Sequence, residues 1–152
     1  MADRERGAVT AGGPLVREAR PADGGEMTGL FGELGYPTDA ATFADRYQRL
    51  RDDRATWVFV AELDHRVVGF ASLHLILLER QPLSRVTALV VSESARGRGI
   101  ARALVERMHD EARRQGCDRL EVSSGEWRHD AHAFYESLGF REASRRFIKP
   151  ID

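Results

Sequence analysis

Apolar and polar positions along this chain of 152 residues follow two different periods, and the changes between them predict its elements. Residues 15–19 alternate between apolar and charged side chains, which predicts a short strand. Residues 21–34 have apolar positions at helical spacing, and Thr38 is the expected cap of a second helix that ends near residue 50. Two helices are therefore expected before the main sheet.

The middle of the chain is rich in residues that favour strands. Residues 57–61 and 67–77 are runs of branched and aromatic side chains joined by a polar turn, so we expect them to pair as an antiparallel hairpin. A polar loop that contains Pro82 leads to a further apolar strand at residues 86–91. These segments predict the centre of a sheet.

The second half of the chain predicts a strand, a helix and a strand in succession. A helix at residues 99–115 is followed by a strand at residues 119–124, so the strands on either side of the helix are expected to be parallel with a right-handed crossover. A short helix capped by Asp130 and two closing strands, at residues 140–146 and 147–149, complete the pattern.

Composition and length indicate one domain, since 42% hydrophobic and 31% charged residues are enough for a single core. Residues 1–14 lack periodicity and predict a flexible leader before a domain at residues 15–152. A net charge of -1 provides no overall field for nucleic acid or an anionic membrane. Cys117 is the only cysteine, and the sequence contains neither a signal peptide nor a membrane span. We therefore expect a cytoplasmic protein with no nucleic-acid or membrane partner.

A loop rich in glycine and arginine joins the strand at residues 86–91 to the next helix. Gly97 and Gly99 leave the main chain open, so that successive N–H groups can close on an anion at the positive end of the helix. Arg96 and Arg98 add positive charge beside these donors. The loop predicts an anion cradle, the name used below for residues 96–101. An arginine-rich surface loop is the alternative.

Three kinds of chemistry use an anion cradle at this place. A nucleoside-triphosphate loop needs Lys and then Ser or Thr after its second glycine, but Ile100 and Ala101 stand there. A dinucleotide fold needs a third small residue and an acidic residue at the end of the next strand, whereas Arg102 fills the first position and Glu121 lies within the strand. The third is recognition of the diphosphate of a coenzyme A ester, whose peptide-like arm can hydrogen-bond an exposed strand edge.

The cradle and a later segment together resemble the GNAT superfamily of acyl-CoA-dependent N-acetyltransferases. Arg96-Gly-Arg-Gly-Ile-Ala101 is similar to its Arg/Gln-x-x-Gly-x-Gly/Ala signature, and Ala131-His-Ala-Phe-Tyr-Glu-Ser-Leu-Gly-Phe140 is similar to its Ala-x-x-Phe-Tyr-x-x-x-Gly-Phe segment. The resemblance implies an α/β (α+β) fold with a mixed, mostly antiparallel central sheet and helices on both faces. It also implies acetyl-CoA as the cosubstrate.

Shorter matches, at residues 72–75, 128–135 and 146–149, resemble the aminoalkylphosphonate N-acetyltransferases. Residues 35–37 are similar to acetyltransferases that act on other small amines, aminoglycosides among them. These matches imply a primary amine of a small molecule as acceptor and leave its identity open. In the superfamily the acceptor pocket is built by the helices before Trp57 and by the loop at residues 79–84.

The resemblance also implies where the coenzyme binds. It places the pantetheine arm and the thioester along the strand at residues 86–91, where a β-bulge separates this strand from its parallel neighbour and a main-chain N–H polarises the thioester carbonyl. The residues that it assigns to coenzyme binding are Leu89, Val90, Val91, Arg96, Gly97, Arg98, Gly99, Ile100 and Ala101.

Direct transfer from a thioester to an amine passes through a tetrahedral intermediate and needs a proton for the departing thiolate. Tyr135 matches the residue that supplies this proton in the family. A core aromatic residue whose hydroxyl reaches solvent is the alternative.

The general base is less well defined, because relatives with a Glu before the cradle differ from this chain, which has Arg85, Thr87 and Ala88 at the corresponding positions. Glu121 and His74 are the candidate bases, acting directly or through water. An ion-paired carboxylate and a half-buried histidine are their structural alternatives. An acceptor amine that binds in its neutral form would need neither Glu121 nor His74 as a base.

Arg128 stands where many superfamily members carry an Asn that contacts the coenzyme, and it is predicted to hold an acidic group of the substrate instead. His129 and His132 lack a further ligand at a defined spacing, so no metal is predicted. Three other functions stay open: a catalytically silent acyl-CoA sensor, a dinucleotide-binding domain and an acetyltransferase of a protein amine. A homodimer through the apolar carboxyl-terminal strand is compatible with the sequence, and so is a monomer.

Overall fold

A single mixed sheet forms the centre of the molecule in the computed structural model, which describes residues 12–123 and 129–151, the side chain of His129 excepted. Five strands lie in the order β1-β2-β3-β4-β5. Neighbours are antiparallel except β4 and β5, which are parallel, so the predicted mixed and mostly antiparallel sheet is confirmed. The strands are β1 (Leu15–Glu18), β2 (Thr56–Leu63), β3 (Arg66–Ile76), β4 (Leu83–Val91) and β5 (Leu120–Val122).

Helices cover both faces of this sheet, as predicted, and each face has its own core. They are α1 (Gly24–Glu33), α2 (Ala40–Asp52), α3 (Ile100–Arg114) and α4 (His129–Ser137), with single 3-10 turns at Pro21–Asp23 and Glu93–Ala95. The core under α1 and α2 contains Met27, Leu30, Phe43, Tyr47, Val58, Val60, Phe70 and Val90. The core under α3 contains Phe59, Ala71, Leu73, Val86, Ile100, Leu104 and Met108, and apolar residues of α4 pack against it.

A β-bulge divides β4 into two halves. Ala88 pairs with Ser72 of β3 and Val86 pairs with Leu73, so Thr87 is the extra residue. Val86 belongs to the core under α3 whereas Ala88 packs against the core under α1 and α2, although residues two apart share a face in a regular strand. The described pairing of β4 with β5 ends at Val86. The bulge implied by the resemblance is therefore confirmed, and it lies where the pairing of the two parallel strands stops.

Gly69 of β3 allows α3 to pack directly on the sheet. A Cβ atom at this position would lie 3.0 Å from the carbonyl oxygen of Val90, 3.1 Å from Cγ2 of Ile100 and 3.3 Å from Cδ1 of Leu104. Ile100, the first residue of α3, is fully buried at this contact. The amino-terminal end of α3 is thus fixed against β3 and the end of β4 by close packing.

The hairpin between β2 and β3 is confirmed, with Asp64 and His65 as its turn residues. Both have positive φ, at 50° and 63°, which is the type I′ geometry that suits the twist of a two-residue hairpin. Short polar residues tolerate this region better than most, which is why a turn without glycine forms here.

The predicted helix caps differ from the observed ones. Asp39 caps α2 instead of Thr38, because its carboxylate accepts a hydrogen bond from the N–H of Thr42 at 2.8 Å. Asp130 lies in the first turn of α4 and is not its cap, since the helix begins at His129. The predicted cap of α2 is one residue too early, and the predicted cap of α4 lies one residue inside the helix.

The two closing strands were also predicted wrongly. Residues 140–151 have no regular secondary structure in the part of the chain that the structure describes, and Phe147, Ile148 and Ile151 are exposed. Their side chains favour a strand, but β-propensity takes effect only beside a partner strand. The predicted strand at residues 119–124 is shorter, because β5 ends at Val122, and its last residue lies outside the described part. So does most of the predicted leader, residues 1–11.

Candidate functional site

The anion cradle lies between the end of β4 and the start of α3, as predicted. Gly97 and Gly99 have φ values of 78° and 76°, in the left-handed region that other residues avoid. Gly99 is the N-cap of α3, and no side chain caps the helix there, so the first N–H groups of α3 lack intrahelical partners. Arg96 and Arg98 are exposed beside them. This donor set fits a diphosphate, because main-chain N–H groups and the helix dipole act on the same point.

The other residues assigned to the coenzyme divide into side chains near the surface and side chains within the cores. Leu89 and Val91 are half-buried and pack towards α3, whereas Val90 is buried under α1 and α2. Ile100 is buried against Gly69 and Ala101 is half-buried behind it. Val90 and Ile100 can therefore contact a ligand only through their main chains, which is the mode that a strand edge and a helix end provide.

Tyr135 lies in α4 on the same side of the sheet as α3. Its ring centroid is 5.5 Å from that of Phe134 and 5.6 Å from that of Phe140, and the side chain is half-buried. Gly139, with a φ of 91°, ends the helix, and the N–H of Phe140 returns to the carbonyl oxygen of Tyr135 at 3.0 Å. This turn and the neighbouring rings hold the Tyr135 side chain in place.

Glu121 is held by two arginines. Its carboxylate accepts hydrogen bonds from Arg85 of β4, at 2.8 and 3.2 Å, and from Nε of Arg119 at 2.8 Å. The hydrogen bond from Arg85 contributes most to lowering the pKa of Glu121 below its ordinary value. A carboxylate stabilised in its charged form is a weak base at neutral pH, so this geometry argues against the role of general base for Glu121.

His74 of β3 is half-buried, and its Nδ1 lies 3.1 Å from Oγ1 of Thr56. The same hydroxyl donates to Oδ2 of Asp53 at 2.5 Å. Burial lowers the pKa of His74, and the nearby Asp53 only partly opposes this shift. The imidazole is therefore neutral around pH 7, which is the form that accepts a proton.

These polar residues form one row across the sheet. Thr56 of β2 pairs with His74, His74 pairs with Arg85, and Arg85 pairs with Glu121. Paired residues share a face, and alternation from Phe70 places His74 on the face covered by α1 and α2. The structure thus brings both candidate bases into one row that meets β4 two residues before Thr87.

Two residues of this arrangement were missed from the sequence. Asp53 is the first residue after α2, and Thr56 begins β2 three residues later. The Asp-x-x-Thr spacing is a recognisable pattern of local hydrogen bonding, but it is as typical of an ordinary turn as of a functional site, so it does not single these residues out. The link to His74 depends on strand register, which the sequence did not reveal.

Arg128, predicted to hold an acidic group, lies outside the described residues, and so does the side chain of His129. Within the described part, no three His, Cys, Asp or Glu side chains are grouped so that they could hold a metal ion. Among the described helices, none has the length and apolar character needed to cross a bilayer.

The cradle lies at the end of a strand with a parallel neighbour, beside a bulge at which the described pairing of the two strands ends, and this arrangement of an α/β protein suits an extended ligand with an anionic group. The sequence matches the family model described as "Acetyltransferase (GNAT) family" over residues 26–140. The chain therefore belongs to the GNAT family of acetyltransferases, whose enzymes use acetyl-CoA as cosubstrate.

Individual relatives agree with this family. The chain is 32% identical over 114 residues to the aminoalkylphosphonate N-acetyltransferase of Salmonella typhimurium, covering 69% of this chain and 74% of the relative. It is 29% identical over 140 residues to the glucosamine 6-phosphate N-acetyltransferase of Trypanosoma brucei brucei, covering 85% and 92%. The crystal structure of a Trypanosoma brucei acetyltransferase superposes with a TM-score of 0.77 at 26% identity, over 91% of this chain and 99% of that one.

Proposed function

We propose that this protein, through its domain at residues 15–152, transfers an acetyl group from acetyl-CoA to a primary amine of a small molecule. The observation that carries the proposal is the cradle: two glycines with positive φ, an uncapped helix start and two exposed arginines at the end of a bulged strand. Acetyl-CoA would supply the activated acetyl group and a thiolate leaving group. Transfer would be direct, through a tetrahedral intermediate.

Binding and positioning would come from the main chain. The N–H groups of residues 97–101 would hold the diphosphate, and the edge of β4 at Leu89, Val90 and Val91 would hydrogen-bond the pantetheine arm. A main-chain N–H of this strand would also polarise the thioester carbonyl as negative charge develops on its oxygen. Because these donors belong to a packed strand and a packed helix end, they are positioned before the ligand arrives.

Proton transfer would come from side chains. We assign Tyr135 as the acid that protonates the departing thiolate, because it matches the family segment and is held between two aromatic rings. We assign His74 and not Glu121 as the base, because His74 is neutral near pH 7 whereas two guanidinium groups hold Glu121 in its charged form. Together these residues would remove a proton from the amine and return one to the thiolate.

The names of the two relatives guide the choice of acceptor. One is named for an aminoalkylphosphonate and the other for glucosamine 6-phosphate, and both compounds combine a primary amine with a phosphorus oxyanion. We propose acceptors of this kind, bound on the face of α1 and α2, with Arg128 contacting the oxyanion. If replacing Arg128 by Ala left the KM for such an amine unchanged, this contact would be excluded.

Steady-state release of free thiol from acetyl-CoA tests the proposal. Aminoalkylphosphonates, amino sugar phosphates, aminoglycosides, polyamines and amino acids should be compared at equal concentration, and we expect turnover with the phosphorus-containing amines. A protein that binds acetyl-CoA but releases no thiol with any amine would be an acyl-CoA sensor. One that acetylates only peptide termini or lysines would be a protein acetyltransferase. Binding of NAD or FAD in place of coenzyme A would indicate a dinucleotide domain.

A further inference from the structure

A chain of three hydrogen-bonding groups connects the end of α2 to the sheet. Asp53 follows α2 directly, and its Oδ2 accepts the hydroxyl proton of Thr56 at 2.5 Å while its Oδ1 accepts the N–H of Ala55 at 3.2 Å. The oxygen of that hydroxyl lies 3.1 Å from Nδ1 of His74. Asp53, Thr56 and His74 thus come from a helix end and two strands, and we call them the relay.

The protons in the relay can be counted. The hydrogen bond from Thr56 contributes most to lowering the pKa of Asp53, so its carboxylate is ionised at neutral pH and can only accept. Thr56 has one hydroxyl proton and donates it to Asp53. The contact with His74 then requires Nδ1 to be the donor. A neutral imidazole with its proton on Nδ1 leaves an unprotonated Nε2.

We propose that Asp53 and Thr56 are positioning residues that hold His74 as the Nδ1–H tautomer, so that Nε2 takes the proton of the acceptor amine through a water molecule. This inference rests on the proposed function, because it assigns the base of that reaction. The amine nitrogen gives its proton to the water, and the water gives one of its own to Nε2. The resulting imidazolium keeps its Nδ1–H on Thr56, and Asp53 stabilises the positive charge beyond it.

The location of His74 supports this role. It lies on the face of α1 and α2, two residues along β3 from Ser72, which pairs with Ala88 beside the bulge. Two residues span about 6.6 Å of strand, a distance that a side chain and one water molecule can bridge. The two ring nitrogens diverge, so with Nδ1 directed at β2 the other nitrogen is directed away from it.

The charged groups next to His74 have opposite effects on its protonation, and these effects partly cancel. Asp53 lies across Thr56 on one side, and Arg85 is the neighbour on β4 on the other side. The guanidinium of Arg85 is itself paired with Glu121, which reduces its repulsion of an imidazolium. Protonation of His74 during turnover is therefore supported by Asp53 and only weakly opposed by Arg85.

Nuclear magnetic resonance of the imidazole nitrogens in the resting protein tests the tautomer without any turnover. His74→Gln identifies the signal, and we expect the wild-type protein near pH 7.5 to carry the proton on Nδ1. Thr56→Val keeps the shape of the side chain and removes the hydroxyl, so Nε2–H should become populated. Thr56→Ser restores the hydroxyl and should restore the Nδ1–H form. A wild-type signal from the Nε2–H tautomer would overturn the proposal.

Kinetics test the consequence for the reaction. Thr56→Val should lower kcat on the order of tenfold, with the KM for acetyl-CoA unchanged, and Thr56→Ser should recover most of the rate. In the wild-type protein the decline of kcat/KM at acidic pH should follow protonation of His74, and in His74→Gln this decline should disappear together with most of the rate. An unchanged kcat in Thr56→Val despite a changed tautomer would overturn the positioning role.

The chain contains a matched control. Asp39 and Thr42 have the same spacing as Asp53 and Thr56, and their side chains form the same kind of hydrogen bond, at 2.6 Å, at the exposed start of α2. Thr42→Val should change neither the tautomer of His74 nor kcat. If no amine supports turnover, the proposed function fails and the base role with it, whereas the tautomer in the resting protein is still measured independently.

Discussion

The two halves of β4 differ in the kind of group that they contribute. After Thr87 the strand and the cradle present main-chain N–H groups, and several of the side chains there are committed to the cores. Before Thr87 the strand takes part in the row of Thr56, His74, Arg85 and Glu121, in which side chains from four strands meet. One half therefore suits binding of a ligand common to a family, and the other suits proton chemistry and acceptor choice.

This difference implies that binding and turnover can be separated by substitution. Changes in the cradle should act on affinity for acetyl-CoA, since the main-chain donors are proposed to hold the ligand in its ground state. Changes in side chains that move protons should act on kcat. Four predictions follow in order of decreasing expected effect; three test this separation, and Gly69→Ala tests the packing that fixes the cradle end of α3.

Tyr135→Phe should lower kcat on the order of 100-fold and leave the affinity for acetyl-CoA unchanged, because the ring and its contacts with Phe134 and Phe140 remain while the proton donor is lost. Steady-state kinetics and calorimetric binding of acetyl-CoA measure the two quantities. Full activity in this variant would show that solvent, and not Tyr135, protonates the thiolate.

Gly99→Val should weaken acetyl-CoA binding about 10- to 100-fold, the cost of one or two lost hydrogen bonds to a charged oxygen. Gly116→Val is the matched control, because Gly116 has a φ of 73° at the other end of α3. Both variants should lose about 1–2 kcal/mol of stability from the strained backbone. Equal coenzyme affinity in the two variants would contradict the assignment of the cradle.

Gly69→Ala should lower the free energy of unfolding by about 1–3 kcal/mol, because the new methyl group meets the carbonyl oxygen of Val90 and the side chain of Ile100. Urea denaturation measures this change. Gly29→Ala on α1 is the control, since a Cβ there has no neighbour within 4 Å and alanine favours a helix. Equal stability of the two variants would mean that α3 can shift on the sheet without cost.

Glu121→Gln should change kcat less than about twofold and leave the acidic decline of kcat/KM where it is, because the ionised carboxylate pairs with Arg85 and Arg119 and does not take up the proton. The pH profile between 5 and 9 is the measurement. Loss of the acidic decline in this variant would transfer the role of base from His74 to Glu121.

The difference between the cradle and the side-chain row also explains which parts of the candidate site could be predicted from the sequence. The cradle was predicted because its geometry requires glycine at positions 97 and 99, and such a requirement is visible in one short segment. The relay was not predicted, because Asp53, Thr56 and His74 become neighbours only through the register of β2 and β3. His74 was a candidate base only because an imidazole can accept a proton near neutral pH, and its partners Asp53 and Thr56 were not predicted.

The secondary structure could likewise be predicted where the pattern along the chain was sufficient by itself. The strands and helices of residues 15–122 were predicted because their burial pattern repeats along the chain, whereas residues 140–151 have strand-like composition and no described partner. The apolar side chains of Phe147 and Ile148 in that segment are exposed. A homodimer that covers them stays a prediction, as does a cytoplasmic location.

Thr87 is an extra residue between two halves of β4 that otherwise keep a regular register with β3. With this residue present, Arg85 and Ala88 face the same side of the sheet although they are three positions apart. Deleting it would leave Val86 and Arg85 on their present faces, because Val86 would then alternate directly with Ala88 as in a regular strand, but it would remove the bulge itself. A chain shortened by this one residue is therefore expected to keep both cores and to lose the break in β4 beside which the described pairing with β5 ends.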